Sequence, residues 1–151
     1  MFDLGLKDKV IVITGGSDGL GYASAELLSY EGAKVIICGR RGDYLNEKAK
    51  IISEKTHNNV VAIQADVSKT EDCKRLVEET ISKFKKIDIL INNAGASAAS
   101  FFEDVTDKNW EDDINLKLMS TIRMCRLVIP YMKSNNKGVI INATIGGGKA
   151  P

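Results

Sequence analysis

Two kinds of apolar pattern alternate along the chain. Val10-Ile11-Val12-Ile13, Val35-Ile36-Ile37-Cys38, Val60-Val61-Ala62-Ile63, Ile89-Leu90-Ile91 and Val139-Ile140-Ile141 are short, unbroken and mostly β-branched. Such runs mark strands covered on both faces. Between them apolar residues recur at helical spacing. Residues 22–31 offer Ala23, Ala25, Leu27 and Leu28 to a core, and Gly32 stands where a helix C-terminal glycine belongs. A second helix, rich in Glu, Lys and Ala, is predicted over 43–55. Ser68 and Glu71 have capping-box spacing, which predicts Ser68 as the N-cap of a helix carrying Cys73, Leu76, Val77, Thr80, Ile81 and Phe84. One long helix is predicted over 107–134, with Thr106 as its N-cap. Strict alternation of strand and helix predicts an α/β fold around a parallel sheet with right-handed crossovers. No linker, repeat or low-complexity stretch divides the chain, so residues 1–151 read as one domain.

Composition narrows the classes of partner. A net charge of +1 gives no electrostatic case for nucleic acid or an anionic membrane. No apolar run approaches the roughly 18 residues of a membrane span, and the N-terminus lacks the basic start and apolar core of a signal peptide. Cys38, Cys73 and Cys125 are odd in number and far apart, which points to reduced thiols and a cytoplasmic location rather than disulfides or zinc. The single histidine, His57, lies in a polar stretch read as an exposed loop, and no metal site is expected.

The candidate chemistry sits at the carboxyl ends of the strands, where open parallel sheets bind ligands. The first strand runs into Thr14-Gly15-Gly16-Ser17-Asp18-Gly19-Leu20-Gly21 and then a helix. Backbone N–H groups and the positive end of the helix dipole make that turn an anion site suited to a dinucleotide. The second strand ends in Gly39-Arg40-Arg41. An acidic residue there would bind a ribose 2′-hydroxyl and repel a 2′-phosphate, whereas Arg40 offers a phosphate a bidentate cation. The alternative is a pair of solvated loop arginines. The third strand ends in Ala65-Asp66-Val67. Asp66 and Val67 suit an adenine, or Asp66 braces the next helix through Ser68. The fourth ends in Asn92-Asn93-Ala94-Gly95, whose amides can satisfy loop backbone and whose small residues let the chain pass a cofactor.

Thr14-Gly-x-x-x-Gly-x-Gly21, Asp66, Asn92-Asn93-Ala94-Gly95 and the later Asn115-Leu116 resemble the short-chain dehydrogenase/reductase family, in the manner of 3-oxoacyl-carrier-protein reductases and hydroxysteroid-type members. The resemblance runs from Leu6 to Gly148 and implies a Rossmann-like, doubly wound fold. It also implies an NAD(H) or NADP(H) cofactor and hydride transfer between an alcohol and a ketone. By position, Gly15, Ser17, Asp18, Gly19, Leu20 and Gly21 would serve the pyrophosphate turn. Arg40 would take the ribose phosphate, Asp66 and Val67 the adenine, and Asn93, Ala94 and Gly95 the nicotinamide-side ribose. Asn115 matches the family's helix asparagine, which holds a proton-relay water. Asp18 stands where members favouring the phosphorylated cofactor often carry a basic residue, so its charge opposes Arg40. The balance favours NADP(H) over NAD(H), because a bidentate arginine outweighs a solvated carboxylate.

Two departures from the family pattern bear on catalysis. Ile145 falls at the position of the family's catalytic serine, and an isoleucine cannot orient a carbonyl. Thr144, one residue earlier, carries the nearest hydroxyl, either as a stand-in or as a strand-end group bonded to backbone. The Tyr-x-x-x-Lys pair expected after this turn is not supplied, leaving no general acid. Tyr44 and Lys48 have the spacing but read as an exposed helical pair. The chain is therefore expected to be a form truncated after the fifth strand. It would keep much of the cofactor site and act on a carbonyl or alcohol substrate only in full-length form. The alternative is a nucleotide-binding or interaction module derived from the family. The last apolar strand is expected to leave an exposed edge. Apolar residues between 107 and 134 exceed one stripe, which predicts a homo-oligomer through that helix.

Overall fold

The computed structural model describes residues 4–96 and 100–144. Five strands, β1 (Val10–Thr14), β2 (Lys34–Gly39), β3 (Val61–Gln64), β4 (Ile89–Asn92) and β5 (Val139–Asn142), form one parallel sheet in the order β3-β2-β1-β4-β5. The helices are α1 (Gly19–Tyr30), α2 (Gly42–Thr56), α3 (Thr70–Phe84), α4 (Asp107–Ile114) and α5 (Ser120–Ser134). The chain winds outward from β1 to β3 and then returns to place β4 on the other side of β1. That reversal between β1 and β4 opens a crevice at the strands' carboxyl ends.

Strand alternation divides the core into two layers. Val10, Val12, Ile36, Cys38 and Leu90 pack with Cys73, Leu76 and Val77 of α3 and with Met124, Val128 and Met132 of α5. Ile11, Ile13, Val35 and Ile37 pack on the opposite face with Ala25 of α1 and Leu45, Ala49 and Ile52 of α2. The sheet is thus doubly wound, as its uninterrupted apolar runs predict. Burial is uneven along it. All of β1 is inaccessible to solvent, whereas Val139 and Ile141 of the edge strand β5 are each 48% exposed. The exposed apolar edge expected from the sequence is present.

Two local predictions are corrected. Helix α3 starts at Thr70 with Lys69 at its N-cap, and no Ser68–Glu71 box forms. The Asp66 carboxylate has taken the Ser68 N–H at 3.0 Å and its hydroxyl at 2.7 Å, while Asp72 reaches back to accept the Asp66 N–H at 2.8 Å. The side chain that would cap the helix is used to close the turn before it. The second correction concerns the helix over 107–134, which is interrupted. Between α4 and α5 the segment Asn115–Met119 is a π turn, with the Ser120 N–H donating to the Asn115 carbonyl five residues back. Thr106 does cap α4. Its hydroxyl accepts the Asn109 N–H, and the Asn109 amide oxygen accepts the Thr106 N–H, each at 3.2 Å.

Candidate functional site

The glycine turn is fixed by short contacts between β1, α1 and the loop after β4. Gly15 adopts φ +67°, and a Cβ there would stand 2.9 Å from the Ala94 Cα. A Cβ on Gly21 would stand 2.2 Å from the Gly15 carbonyl oxygen, so the first turn of α1 packs backbone to backbone on the loop. Thr14, the first residue of the motif, holds the other side. Its hydroxyl accepts the N–H groups of Asn93 and Ala94, both at 3.0 Å. The Asn93 amide donates back to the Thr14 and Gly15 carbonyls at 3.2 and 3.1 Å. The prediction that these amides satisfy loop backbone holds for Asn93 alone; the Asn92 amide donates to the Asn142 side-chain oxygen at 2.9 Å.

A cleft of about 660 Å³ lies over this turn. Gly15, Ser17, Asp18, Gly19 and Leu20 line one wall, and Gly39, Arg40 and Arg41 line the end beside β2. Asp66 and Val67 line the β3 side, while Asn93, Ala94 and Gly95 line the β4 side with Leu116. The volume is in the range of a small-molecule or cofactor site. Gly19 has φ +53° with nothing within 4 Å of where a Cβ would point, so the wall there is bare backbone open to the cleft. Among the described residues Gly21 lies behind the turn rather than on the lining. The Cys38 thiol is buried in the floor, and burial pushes it up to about 12, which leaves it protonated and inert. Cys73 is likewise pushed up to about 11, chiefly by burial.

At the β2 end the structure assembles a cluster the sequence did not disclose. Asp18 accepts from the Arg41 guanidinium at 2.5 Å and from the Tyr44 hydroxyl at 2.6 Å. Arg41 lies 4.2 Å over the Tyr44 ring and the Lys48 ammonium 4.9 Å from it. Tyr44's hydroxyl, and then Arg41, hold the Asp18 carboxyl below its ordinary value. Tyr44 and Lys48 do form a helical pair on α2, half-buried rather than exposed, and the Tyr44 hydroxyl ties it to the cleft lining through Asp18. Arg40 is exposed on the lining, and among the described residues its guanidinium forms no ion pair or hydrogen bond.

The remaining candidates are placed unequally. Asp66 both lines the cleft and braces the turn through Ser68, so its two readings coexist. Asn115 sits in the π turn and does not reach the lining. Its amide donates to the Ser68 carbonyl at 3.1 Å, and its oxygen accepts from Arg123 at 2.7 Å. Thr144 is exposed just beyond β5 and lies off the described lining, with no hydroxyl hydrogen bond among the described residues. Ile145 lies outside the described residues. Tyr-x-x-x-Lys spacing also occurs at Tyr30 and Lys34, which the sequence reading overlooked. There α1 ends and β2 begins, away from the strands' carboxyl ends, and Lys34 pairs with Asp8 at 3.4 Å. Among the described residues no helix is long and apolar enough to cross a membrane, and no group of three His, Cys, Asp or Glu could hold a metal. His57 is exposed where α2 ends.

Comparison with known proteins agrees with this architecture. The sequence pattern of the short chain dehydrogenase family matches residues 9–151. An uncharacterized oxidoreductase of Staphylococcus saprophyticus is 38% identical over 143 residues, covering 94% of this chain and 57% of that protein. The 11-beta-hydroxysteroid dehydrogenase 1A of Arabidopsis thaliana is 35% identical over 141 residues, covering 93% of this chain and 40% of its own. Among solved structures, L-sorbose reductase from Gluconobacter frateurii, complexed with NADPH and L-sorbose, superposes with a TM-score of 0.90 at 35% identity over 93% of this chain and 54% of that one. A 7 alpha-hydroxysteroid dehydrogenase complexed with NADH gives 0.91 at 28% identity, over 97% of this chain and 56% of that one. The chain spans 40% to 61% of the length of the curated relatives it matches. Glycine turn, strand order and sequence pattern agree: the chain belongs to the short chain dehydrogenase family.

Proposed function

We propose that residues 1–151 form the dinucleotide-binding unit of an NAD(P)(H)-dependent short-chain oxidoreductase, with NADP(H) preferred. The observation that carries the preference is Arg40, an uncommitted guanidinium on the cleft lining, next to Gly39 where an acidic side chain would oppose a 2′-phosphate. The bare backbone at Gly19, whose Cβ would point into open space, fits a pyrophosphate at the head of α1, and Gly15 lets the loop after β4 close against the turn. Ser17, Leu20 and Gly21 complete that turn. Asp66 and Val67 flank the adenine, and Asn93, Ala94 and Gly95 border the second ribose. A bound nicotinamide would supply hydride chemistry between an alcohol and a ketone. Titration of NADPH and NADH at one fixed salt concentration tests the reading. Tighter NADPH binding is expected. Tighter NADH binding overturns the preference, and no binding of either overturns the site.

For the chemical step these 151 residues offer little. Asn115 is a positioning residue in this reading, its amide tying the π turn to the Ser68 carbonyl and Arg123. Thr144 is the nearest hydroxyl to the serine position that Ile145 takes. Ile145 favours a second reading, a nucleotide-binding or interaction module without turnover. A carbonyl-reductase assay on this chain tests the module reading: binding without turnover is expected, and robust turnover sinks it. Trp110, Ile114 and Leu118, between 44% and 55% exposed, support a homo-oligomer through the helix over 107–134. A monomer at every concentration in sedimentation would rule that out. Buried free thiols at Cys38 and Cys73 support a cytoplasmic location, which imaging of the tagged protein would test.

A further inference from the structure

Asp18 occupies the N-cap position of α1 but does not cap it. Aspartate at that position ordinarily turns its carboxylate onto the first free N–H groups of the helix. Here the backbone is extended, with φ −145° and ψ 167°, yet no side-chain cap bond forms. The carboxylate is drawn toward the β2–α2 corner, where Arg41 and the Tyr44 hydroxyl hold it at 2.5 and 2.6 Å. Tyr44 is itself held, with Arg41 at 4.2 Å and Lys48 at 4.9 Å from its ring centre, and Lys48 also stands 5.6 Å from the Tyr22 ring. Left to itself, Asp18 would compete with any anion for the head of α1 and would set a negative charge beside Arg40.

We propose that Tyr44 and Arg41 are positioning residues for cofactor binding: by tethering Asp18 away from the N-terminus of α1, they leave its N–H groups to the pyrophosphate and Arg40 to the 2′-phosphate. The inference rests on the dinucleotide reading given above. It assigns the phosphate grip to Arg40 and backbone, and it makes Arg41 act through Asp18 rather than on the ligand. The lowered Asp18 carboxyl, attributable first to Tyr44 and then to Arg41, agrees with a tether engaged at neutral pH. All three side chains are at the surface, where ion pairs are weak, so effects of a few-fold to tenfold follow rather than abolition.

The test uses two ligands that differ in where the second phosphate sits, 2′,5′-ADP with a 2′-phosphate and a 5′-monophosphate and 5′-ADP with a pyrophosphate and a free 2′-hydroxyl, titrated into the chain by calorimetry. Tyr44→Phe is expected to weaken 2′,5′-ADP about threefold and Arg41→Ala about tenfold, with smaller losses for 5′-ADP. Adding Asp18→Ala to either variant is expected to restore wild-type affinity to within about twofold, because nothing is left to tether. Equal losses for both ligands that Asp18→Ala does not reverse would mark a merely structural role and overturn the inference. So would an Arg41→Ala loss confined to 2′,5′-ADP and unrelieved by Asp18→Ala, since Arg41 would then grip the phosphate itself. If the wild-type chain binds neither ligand nor NADPH, the dinucleotide reading falls and this inference with it. Wild-type binding with unaltered Tyr44→Phe and Arg41→Ala affinities overturns the tether alone.

Discussion

The two flanks of β1 are built differently. At β2 the sheet is sealed on both faces: Val35, Ile36 and Ile37 are fully buried, with α1 and α2 closing over Val35 and Ile37 and α3 over Ile36. Toward β5 the strands are half covered, with Val139 and Ile141 each 48% exposed. The cleft's best-defined walls all hang from the sealed flank or from its seam with β4. Thr144, at the end of the open flank, is off the described lining. The difference shows where position is enforced. Backbone pressed against backbone at Gly15, Gly21 and Ala94 fixes the glycine turn, whereas Asn142, Ala143 and Thr144 at the end of the open flank are exposed. The glycine turn is therefore the rigidly positioned part of the cleft.

The sharpest way to break that contrast is at the seam. Gly21→Ala would force a Cβ to within 2.2 Å of the Gly15 oxygen and 2.6 Å of the Asn93 amide. Part of the collision is backbone and cannot swing aside. A loss of about 3 kcal/mol in urea unfolding and more than about 100-fold weaker dinucleotide binding are expected. Next in size is a paired truncation. Ile36→Ala on the sealed flank is expected to cost about 3 kcal/mol with little change in binding, while Ile141→Ala on the open flank costs about 1 kcal/mol or less. Equal costs in urea melts would show that β5 is as well covered as β2.

The smallest effect is a pH dependence at the entrance to β1. Asp88 accepts the Val10 N–H at 2.8 Å and pairs with Lys86 at 2.8 Å. Burial pushes its carboxyl up, but Lys86 and the Val10 N–H outweigh that and hold it below the ordinary 3.8. Because the folded value is depressed, the group's stabilisation is full above 3.8 and is lost as pH falls through the folded value. Unfolding midpoints of wild type and Asp88→Asn should therefore converge as pH drops below that mark. A gap that stays constant down to strong acid would contradict the assignment.

Much of this molecule was legible in its sequence because single local causes governed it. Unbroken β-branched runs fixed β1 and β2, and Thr106 capped α4 because no neighbour competed for it. Where two groups competed, local reading failed. Ser68 has the right spacing to cap α3, but the Asp66 carboxylate, two residues away, takes its N–H and its hydroxyl, so the turn wins. The tether on Asp18 was invisible for a related reason. Tyr44 lies 26 residues away, and only the packing of α2 against the β1–α1 turn brings its hydroxyl within reach. The π turn was also hidden, because periodicity over 107–134 reads as continuous helix whether or not one turn is widened.

That widened turn has a consequence in helical phase. Leu116, Ser120, Met124, Val128 and Met132 recur every four residues, and from Ser120 onward they lie buried against the sheet. In a regular α-helix a four-residue repeat overshoots a full turn by about 40° at every step, so along α5 the stripe from Ser120 to Met132 drifts about 120° around the helix. Taking in one extra residue at Asn115–Met119 winds the phase back at the start of the stripe. The same adjustment turns the Asn115 amide onto the loop that carries Asp66, so alignment of the helix and bracing of the cleft are set by one added residue.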